Sequence, residues 1–378
     1  MVDFEAIRPY RDAEVPGVVA RLVEDAELDR AVAVYLMPRL ARTWPRLASA
    51  LVRAYLRRKT RTLATVNDVQ LFLEKYMARL IEETIVELTV DGLDDLSPGE
   101  PYLFISNHRD IVMDSGILNY TIHQAGHRTS RIAVGDNLFA RPFVADLMRL
   151  NKSFVIERQV SGTRAVYAAL SRTSQFIRQS LEEGESVWIA QREGRSKDGF
   201  DRTDPALLKM LGLAFRKEAE SFGDLVARIR IVPVAVSYEL DPCDLRKARE
   251  LYLTDREGSY TKPSDEDLLS IVEGMMGFKG RVHLHIGAPI AGAFDDAEAL
   301  ACEIDRAIVT GLKIFPTQAR AAERLREPTC TVSMPELPDV TAAFEQRLAG
   351  CPDEEKPYLL AAYSNVLRNR RELSLPSA

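Results

Sequence analysis

Between residues 88 and 315, short apolar segments of strand length alternate with longer segments in which apolar residues recur at helical spacing. The strand-like segments are residues 102–106, 131–134, 153–156, 186–190, 229–238 and 281–286, and the helix-like segments are residues 139–150, 164–183, 205–221, 265–276 and 295–313. Strands that alternate with helices are typical of a parallel sheet covered by helices on both faces. We therefore predict an α/β fold with a mostly parallel central sheet flanked by helices.

Helical patterns dominate on both sides of this segment. Long segments rich in Leu, Ala and Arg fill residues 15 to about 90, and short helical pieces separated by prolines follow Phe315. We predict three parts. These are an N-terminal helical segment that is basic and amphipathic (1–87), an α/β domain (88–315) and a C-terminal helical appendage (316–378).

The composition excludes several classes of protein. The chain has 46% hydrophobic and 28% charged residues, as a globular protein does, and its net charge of −6 disfavours binding to nucleic acid. The four cysteines show no metal-ligand spacing, and the first residues carry acids without the apolar core of a secretion signal. No window approaches the roughly 20 apolar residues of a membrane-spanning helix. We expect a cytoplasmic protein that meets a membrane only at its surface.

One stretch of the N-terminal segment is strongly basic. No acidic residue lies between Arg30 and Asn67, and Trp44, Leu51 and Tyr55 are among the apolar residues interleaved with the basic ones. The basic residues are Arg30, Arg39, Arg42, Arg46, Arg53, Arg57, Arg58, Lys59 and Arg61. Either the leucine face packs on the core and the arginine face is solvated, or the stretch docks on anionic lipid headgroups, where each basic residue contributes about 1 kcal/mol. We expect an anionic membrane surface as a partner, with the protein peripheral on the inner face of the membrane.

Residues 102–120 join a strand to a helix through a polar turn. The apolar residues 102–106 are followed by Asn-His-Arg-Asp before helical periodicity resumes. In open α/β sheets, ligands bind just beyond the carboxyl ends of the strands. His108 is therefore a candidate general base, which Asp110 or Asp114 can polarise. The alternative is a polar loop whose His and Asp residues only cap the helix.

Three further apolar runs lead into polar residues or contain a proline. They involve Arg158 in FVIER, Glu193, Gly194, Arg195 and Ser196 in REGRSKDG, and Pro233 in IVPVAVSY. An arginine presents a planar fork suited to phosphate, and a glycine lets a backbone approach a ligand closely. An arginine at the end of a strand is usually a partner in a surface salt bridge, so the order of these runs after the His-Asp turn is a stronger signal than any one of them.

Taken together, these segments resemble the motifs of the glycerolipid acyltransferases, the family that includes glycerol-3-phosphate and lysophosphatidic acid acyltransferases. NHRDIVMD is similar to the family's His and Asp motif, FVIER to its strand ending in Arg, REGRSKDG to its Glu-Gly and Arg-Ser motif, and IVPVAVSY to its strand with an internal proline. RVHLHIGAPI is similar to its closing strand. The resemblance covers roughly residues 88 to 290.

Two spacings depart from the family pattern. Five residues separate His108 from Asp114, where the family has four, so either the turn carries an extra residue as a bulge or Asp110 takes the partner role. The third motif is one residue shorter than in the family, so that an arginine replaces the family's glutamate when the Arg-Ser pairs are aligned. These departures bear on the acceptor and its phosphate ligands rather than on the class of reaction.

The resemblance implies an acyltransferase of phospholipid biosynthesis. It implies His108 as the base, Asp114 as its partner with Asp110 in reserve, and Arg158 and Arg195 as phosphate ligands supported by Glu193, Gly194 and Ser196. The donor would be acyl-CoA or an acyl carrier protein, acting as co-substrate, and the acceptor a phosphorylated glycerol or a lysophospholipid. We expect no bound cofactor and no metal.

Two other classes remain open. A metal-dependent hydrolase would combine the His108 turn with His123 and His127, which stand at i and i+4. A non-catalytic protein that binds lipid or phosphate would keep the same fold. His283 and His285 alternate along a strand and so point to one face, where we expect a structural or surface role.

Overall fold

The computed structural model describes residues 2–216, 218–219, 221–263 and 265–373. In this part of the chain, seven strands form a mostly parallel sheet flanked by helices, which confirms the predicted α/β class. The strands are β1 (Ile85–Asp91), β2 (Leu103–Ser106), β3 (Arg131–Gly135), β4 (Ser153–Ile156), β5 (Val187–Ala190), β6 (Ile231–Tyr238) and β7 (Gly280–Ile286).

Helices precede the sheet, connect its strands and follow it. The first five are α1 (Val15–Val23), α2 (Ala26–Leu36), α3 (Pro38–Thr43), α4 (Pro45–Thr60) and α5 (Val66–Thr84). The connecting helices are α6 (Met113–Gln124), α7 (Pro142–Leu150), α8 (Thr163–Glu182), α9 (Pro205–Leu211), α10 (Phe222–Ile229), α11 (Asp244–Glu257) and α12 (Glu266–Met276). The last four are α13 (Ala297–Gly311), α14 (Pro316–Arg324), α15 (Pro338–Gly350) and α16 (Lys356–Glu372). Within the described residues, no helix combines the length and the apolar character needed to cross a membrane.

The chain divides into two compact units, one made of Met1–Tyr76 and Arg131–Phe176 and the other of Met77–Ser130 and Ile177–Ala378. The second unit contains β1, β7, β6, β2 and β5, in that spatial order. β6 and β7 are antiparallel, and the β1–β7, β2–β6 and β2–β5 pairs are parallel. Every residue of β2 and β6 is buried, because both strands lie in the interior of the sheet. Since β2 and β6 run in the same direction, the residues that follow Ser106 lie beside the end of β6.

The first unit contains α1 to α4, the first part of α5 and the parallel pair β3–β4. The Asp25 side chain begins α2 by accepting the backbone N–H groups of Glu27 and Leu28, as N-cap residues do. α2 and α4 pack through a small cluster built on Ala33, Ala48 and Val52. Small residues let the two helices approach closely, and the cluster buries little large apolar surface.

The C-terminal helices pack very differently. Phe344 of α15 and Leu359 and Tyr363 of α16 are buried in one cluster with residues of α11 and α14. Phe344 and Tyr363 meet edge to face, with ring centroids 5.3 Å apart. α15 and α16 therefore pack against other helices of the second unit.

Two segments between residues 205 and 238 differ from the sequence-based prediction. The helix predicted over residues 205–221 is too long, because α9 ends at Leu211 with Gly212 as its C-cap. A separate helix that was not predicted, α10, begins after Ser221, whose hydroxyl accepts the N–H of Asp224. The strand predicted from residue 229 starts at Ile231, because Ile229 still belongs to α10 and Arg230 adopts a positive φ of 46°. The serine cap and the apolar run after it belong to a second short helix.

Candidate active site

The turn that carries His108 is tied to β6 by the residue before it. The Asn107 side chain donates to the carbonyl of Val236 at 3.0 Å and accepts the Val236 N–H at 2.8 Å. This amide therefore continues the sheet pairing for one position beyond β2, although the backbone has already turned away. His108 leaves the sheet at a fixed point as a result.

The Asp114 carboxylate is the centre of the turn. Its Oδ2 accepts hydrogen bonds from His108 Nδ1 at 2.8 Å and from the backbone N–H groups of Arg109 and Asp110 at 2.6 and 2.9 Å. Its Oδ1 accepts the hydroxyl of Tyr238 at 2.8 Å. With four donors and no solvent exposure, this carboxylate is held in a single orientation.

The contact with Asp114 determines which nitrogen of His108 is basic. Because Nδ1 donates to the carboxylate, the lone pair lies on Nε2. The imidazole is 15% exposed and packs edge to face on Trp188, with ring centroids 5.5 Å apart. An oriented, partly accessible imidazole with a buried carboxylate behind it is the arrangement of a general base.

Asp110 has a different position from the one a base partner needs. Its Oδ1 accepts the N–H groups of Val112 and Met113, so it caps the start of α6. Its Oδ2 is buried, and no residue in the described part of the chain donates a hydrogen bond to it. Burial together with the neighbouring Asp114 charge raises the pKa of this carboxyl. Of the two aspartates that the spacing left open, Asp114 is the one that bonds the histidine.

The sequence analysis missed Tyr238, the last residue of β6. Its side chain is buried, and desolvation together with the Asp114 charge raises its pKa well above the usual value, so it remains a neutral donor. The carboxyl end of a predicted strand was the available signal, because ligands of α/β sheets gather there. The pairing of this end with β2 was not visible in the sequence.

The sequence analysis also missed Arg109, which organises the loop after β5. Its guanidinium donates to the Ser196 hydroxyl at 3.0 Å and forms an ion pair with the buried Asp201 at 2.5 Å. The Ser196 hydroxyl donates in turn to the carbonyl of Phe200, and its backbone N–H donates to the carbonyl of His108 at 2.7 Å. Ser196 thus joins the loop to the histidine turn.

The other predicted ligands of this loop lie close to Ser196 in the chain. Arg195 is half-buried, and its Nη1 is a buried atom for which no described residue accepts a hydrogen bond. Glu193 and Gly194 are exposed, and Gly194 adopts a positive φ of 74° with open space where a Cβ would stand.

Arg158 is an exposed residue that follows β4 in the first unit. Its backbone N–H donates to Asp136 Oδ2 at 2.9 Å, and its guanidinium lies against Gly135, where an added Cβ would come within 2.9 Å of Nη1. The structure therefore brings His108, Asp114, Arg195 and Ser196 into the second unit, and Arg158 belongs to the first.

A metal-dependent hydrolase would need histidine and carboxylate side chains that lie close enough together to share an ion. Across the described ranges, the one group of three His, Cys, Asp or Glu side chains close enough to share a metal ion consists of Asp91, His283 and His285. His123 and His127 form no such group with the residues of the His108 turn. The i, i+4 spacing of these two histidines therefore does not produce a metal site there.

Comparison with known proteins points to the same region of the chain. Residues 87–237 match the family described as Acyltransferase. Among solved structures, the chain is similar to the crystal structure of the 1-acyl-sn-glycerophosphate (LPA) acyltransferase, PlsC, from Thermotoga maritima, with 15% sequence identity and a TM-score of 0.39 over 80% of this chain and 97% of that one. No curated protein matches the chain significantly.

Proposed function

We propose that residues 87–237, which match the family described as Acyltransferase, form a domain that moves a fatty acyl group from an acyl thioester to a hydroxyl of a phosphorylated glycerol or a lysophospholipid. The thioester is carried by coenzyme A or by an acyl carrier protein. The observation that carries this proposal is the 2.8 Å contact between His108 Nδ1 and the buried Asp114 carboxylate.

In the proposed reaction, His108 Nε2 removes the proton of the acceptor hydroxyl as its oxygen attacks the thioester carbonyl. A carbon–oxygen bond forms, the carbon–sulfur bond breaks, and the proton on Nε2 passes to the departing thiolate. Asp114 stabilises the imidazolium that exists between these two transfers, as the carboxylate does in hydrolase triads. Tyr238 and the two backbone N–H groups keep Asp114 in position and take no part in proton transfer.

Arg195 is the phosphate ligand that the contacts favour in the second unit. A buried guanidinium N–H without an acceptor is unfavourable until a ligand supplies one, and a phosphate oxygen forms a charge-assisted bond with it. Ser196 bonds the His108 carbonyl through its backbone, so a phosphate held by the preceding residue would lie near the base. We assign Glu193 and Gly194 to the same loop and Arg158 to a further phosphate contact.

The N-terminal helices supply a surface suited to an anionic membrane. Trp44, Leu47 and Leu51 are 67%, 51% and 46% exposed, and their spacing places them on one side of α4 and the turn before it. The same helix carries exposed arginines, including Arg46 and Arg58. Apolar side chains flanked by arginines are typical of helices that lie in the headgroup region of a membrane. Peripheral docking on the inner face would bring the domain to its lipid substrates.

The test is acyl transfer from labelled acyl-CoA and, in parallel, from acyl carrier protein, with glycerol-3-phosphate and lysophosphatidic acid as acceptors. We expect His108→Ala to lower the rate by roughly 10²–10⁴, because the base is lost. His123→Ala is the matched control, since it removes a histidine of α6 outside the turn and should leave the rate unchanged. Arg195→Ala should raise the KM for the acceptor and leave the KM for the donor unaltered.

Two results would contradict the proposal. One is His108→Ala activity within a few-fold of the parent protein. The other is acceptor binding by the parent protein without turnover on any donor, which would favour a non-catalytic binding protein on this fold.

A further inference from the structure

Two histidines and one carboxylate meet on the sheet edge formed by β1 and β7, away from the His108 turn. In the parallel pairing of these strands, Thr89 lies opposite His283 and Asp91 lies opposite His285. Residues two apart in a strand point to the same face, so all four side chains lie on one face of the pair. β1 is the edge strand of the sheet, which leaves this group accessible from one side.

The ligand atoms of these residues lie close together. His283 Nε2 is 3.5 Å from Asp91 Oδ2, and His285 Nδ1 is hydrogen-bonded to Asp91 Oδ1. One ligand atom from each residue lies within 4.8 Å of the other two. Two ligands of a tetrahedral zinc ion stand roughly 3.4 Å apart, given metal–ligand bonds of about 2.0–2.1 Å. The His283–Asp91 pair already has this separation, and His285 would need only a small movement.

A hydrogen bond to Thr89 fixes the orientation of the His283 ring. Its Nδ1 is bonded to the Thr89 hydroxyl at 2.8 Å, which leaves Nε2 directed at Asp91. Metal-bound histidines usually donate their second ring nitrogen to such a partner, which sets the tautomer and the ring plane. Exposure rises from 8% for the His283 side chain to 30% for His285 and 57% for Asp91, so an ion can reach the group from solvent.

The neighbouring helix favours a cation at this place. α13 ends at Gly311, and a Cβ there would lie 2.2 Å from the His285 ring, so the end of the helix is directly against the imidazole. The carbonyl groups at a helix C-terminus attract positive charge. Lys313, two residues further along the chain, opposes cation binding, because its positive charge repels positive charge at His283.

We propose that Asp91, His283 and His285 form a binding site for a divalent transition-metal ion of the zinc class, with water in the fourth position. Imidazole and carboxylate ligands suit Zn²⁺, and two histidines with one carboxylate leave a coordination position open. The site ties the edge strand β1 to β7. It contains no residue of the proposed acyl-transfer site and does not depend on that assignment.

The experiment titrates the full-length chain, free of any histidine tag, with ZnCl₂ by calorimetry, and with CoCl₂ by visible absorption. We expect one Zn²⁺ per chain, a Co²⁺ spectrum typical of four-coordinate nitrogen and oxygen ligands, and a melting temperature that rises with Zn²⁺. His285→Ala and Asp91→Asn should each weaken binding at least tenfold and abolish the Co²⁺ spectrum. Thr89→Val should weaken it by about 10-fold, as loss of the partner behind a histidine ligand does.

Controls separate this site from other histidines and from misfolding. His123→Ala and His127→Ala should bind Zn²⁺ as the parent protein does, and Lys313→Met should bind it more tightly because a repelling charge is gone. His283 is buried and its replacement could disturb folding, so the exposed Asp91 and the half-exposed His285 decide the outcome. The proposal is overturned if Zn²⁺ does not bind, if His285→Ala and Asp91→Asn bind it unchanged, or if binding is lost in the two control histidine variants.

Discussion

The N-terminal and C-terminal helical regions have similar sequence patterns and opposite packing. In the N-terminal region, α2 and α4 share a cluster centred on three small or medium side chains, and Trp44 remains 67% exposed. In the C-terminal region, Phe344 and Leu359 are no more than 1% exposed within a cluster of ten buried residues. Helical periodicity identifies an apolar face, but it does not say whether protein or another medium covers that face.

The ion pairs of the two regions also differ in how deeply they are buried. In the N-terminal region, the half-exposed Arg53 reaches the buried Asp29, and the exposed Arg57 reaches the exposed Glu24. In the C-terminal region, Arg347 donates to the buried Asp244 carboxylate at 2.9 Å, and to the carbonyls of Asp241 and Phe278. Exposed ion pairs contribute little to stability, whereas the loss of one partner from a buried pair is costly.

The C-terminal region also supports the candidate active site. Asn365 and Asn369 of α16 donate to the carbonyls of Asp198 and Asp201, in the loop that contains Ser196. Gly199 of this loop adopts a positive φ of 82°, and a Cβ there would lie 2.3 Å from the Ala362 carbonyl oxygen. The backbone of α16 therefore determines the position of a loop that contacts the His108 turn.

The largest effect on stability should come from Arg347→Met. This change leaves the Asp244 carboxylate buried without its cation, and burial already raises the pKa of Asp244. We expect the free energy of unfolding to fall by roughly 3–5 kcal/mol, measured by urea denaturation. The double variant Asp244→Asn, Arg347→Met should recover part of this free energy of unfolding. If Arg347→Met alone lowers the free energy of unfolding by less than about 1 kcal/mol, the buried pair is not important for stability.

The second effect is a pH dependence that originates at Lys279, beside Phe278 of the C-terminal cluster. Burial lowers the pKa of Lys279 to about 8 from its ordinary value of 10.5, against the opposing influence of Asp110. Between these values the unfolded chain holds a proton that the folded protein does not, so the free energy of unfolding rises with pH through this window. Compared with Lys279→Met, the parent protein should gain at most about 3 kcal/mol from pH 8 to 10.5.

This comparison cancels the other groups that titrate at high pH, because they are present in both proteins. Parallel stability curves for the parent and Lys279→Met between pH 8 and 10.5 would contradict a lowered lysine pKa.

The third effect concerns activity. Gly199→Ala places a side chain against the Ala362 carbonyl and disfavours the positive φ, so the loop must move. We expect acyl transfer to fall by about 10²-fold, the scale of a misplaced catalytic group, while the melting curve changes little by comparison. Gly126→Ala is the matched control, since Gly126 has a similar φ of 86° but open space around its Cβ and lies outside this loop. Equal activity in both glycine variants would mean that contact with α16 is unimportant.

The smallest effect on stability is expected at the exposed apolar residues of the N-terminal region. Trp44→Ser and Leu51→Ser should change the free energy of unfolding by less than about 0.5 kcal/mol, because both side chains are largely exposed. The same variants should bind anionic vesicles less tightly in a flotation assay, and salt should weaken binding of the parent protein. Unchanged vesicle binding in both variants would mean that this surface is solvated and does not dock on the membrane.

Much of the fold could be predicted from local patterns. The alternation of strands and helices, the position of His108 after β2 and the helical character of both flanking regions are properties of neighbouring residues, so they can be read along the chain. The helix over residues 205–221 was predicted too long, and α10 was missed because it is a short helix of eight residues that leads directly into β6. α11 was missed as well, because no strong apolar pattern marks it.

The candidate site could be predicted only in part, because its contacts join distant segments. Sequence by itself determined that a histidine and nearby aspartates follow a buried strand at the edge where α/β sheets bind ligands. The tertiary structure decided that Asp114 holds His108 while Asp110 caps α6, and that Tyr238 bonds Asp114 across 124 residues of chain. The physical reason is that periodicity records which residues are apolar along one element, whereas strand register and helix packing decide which elements meet.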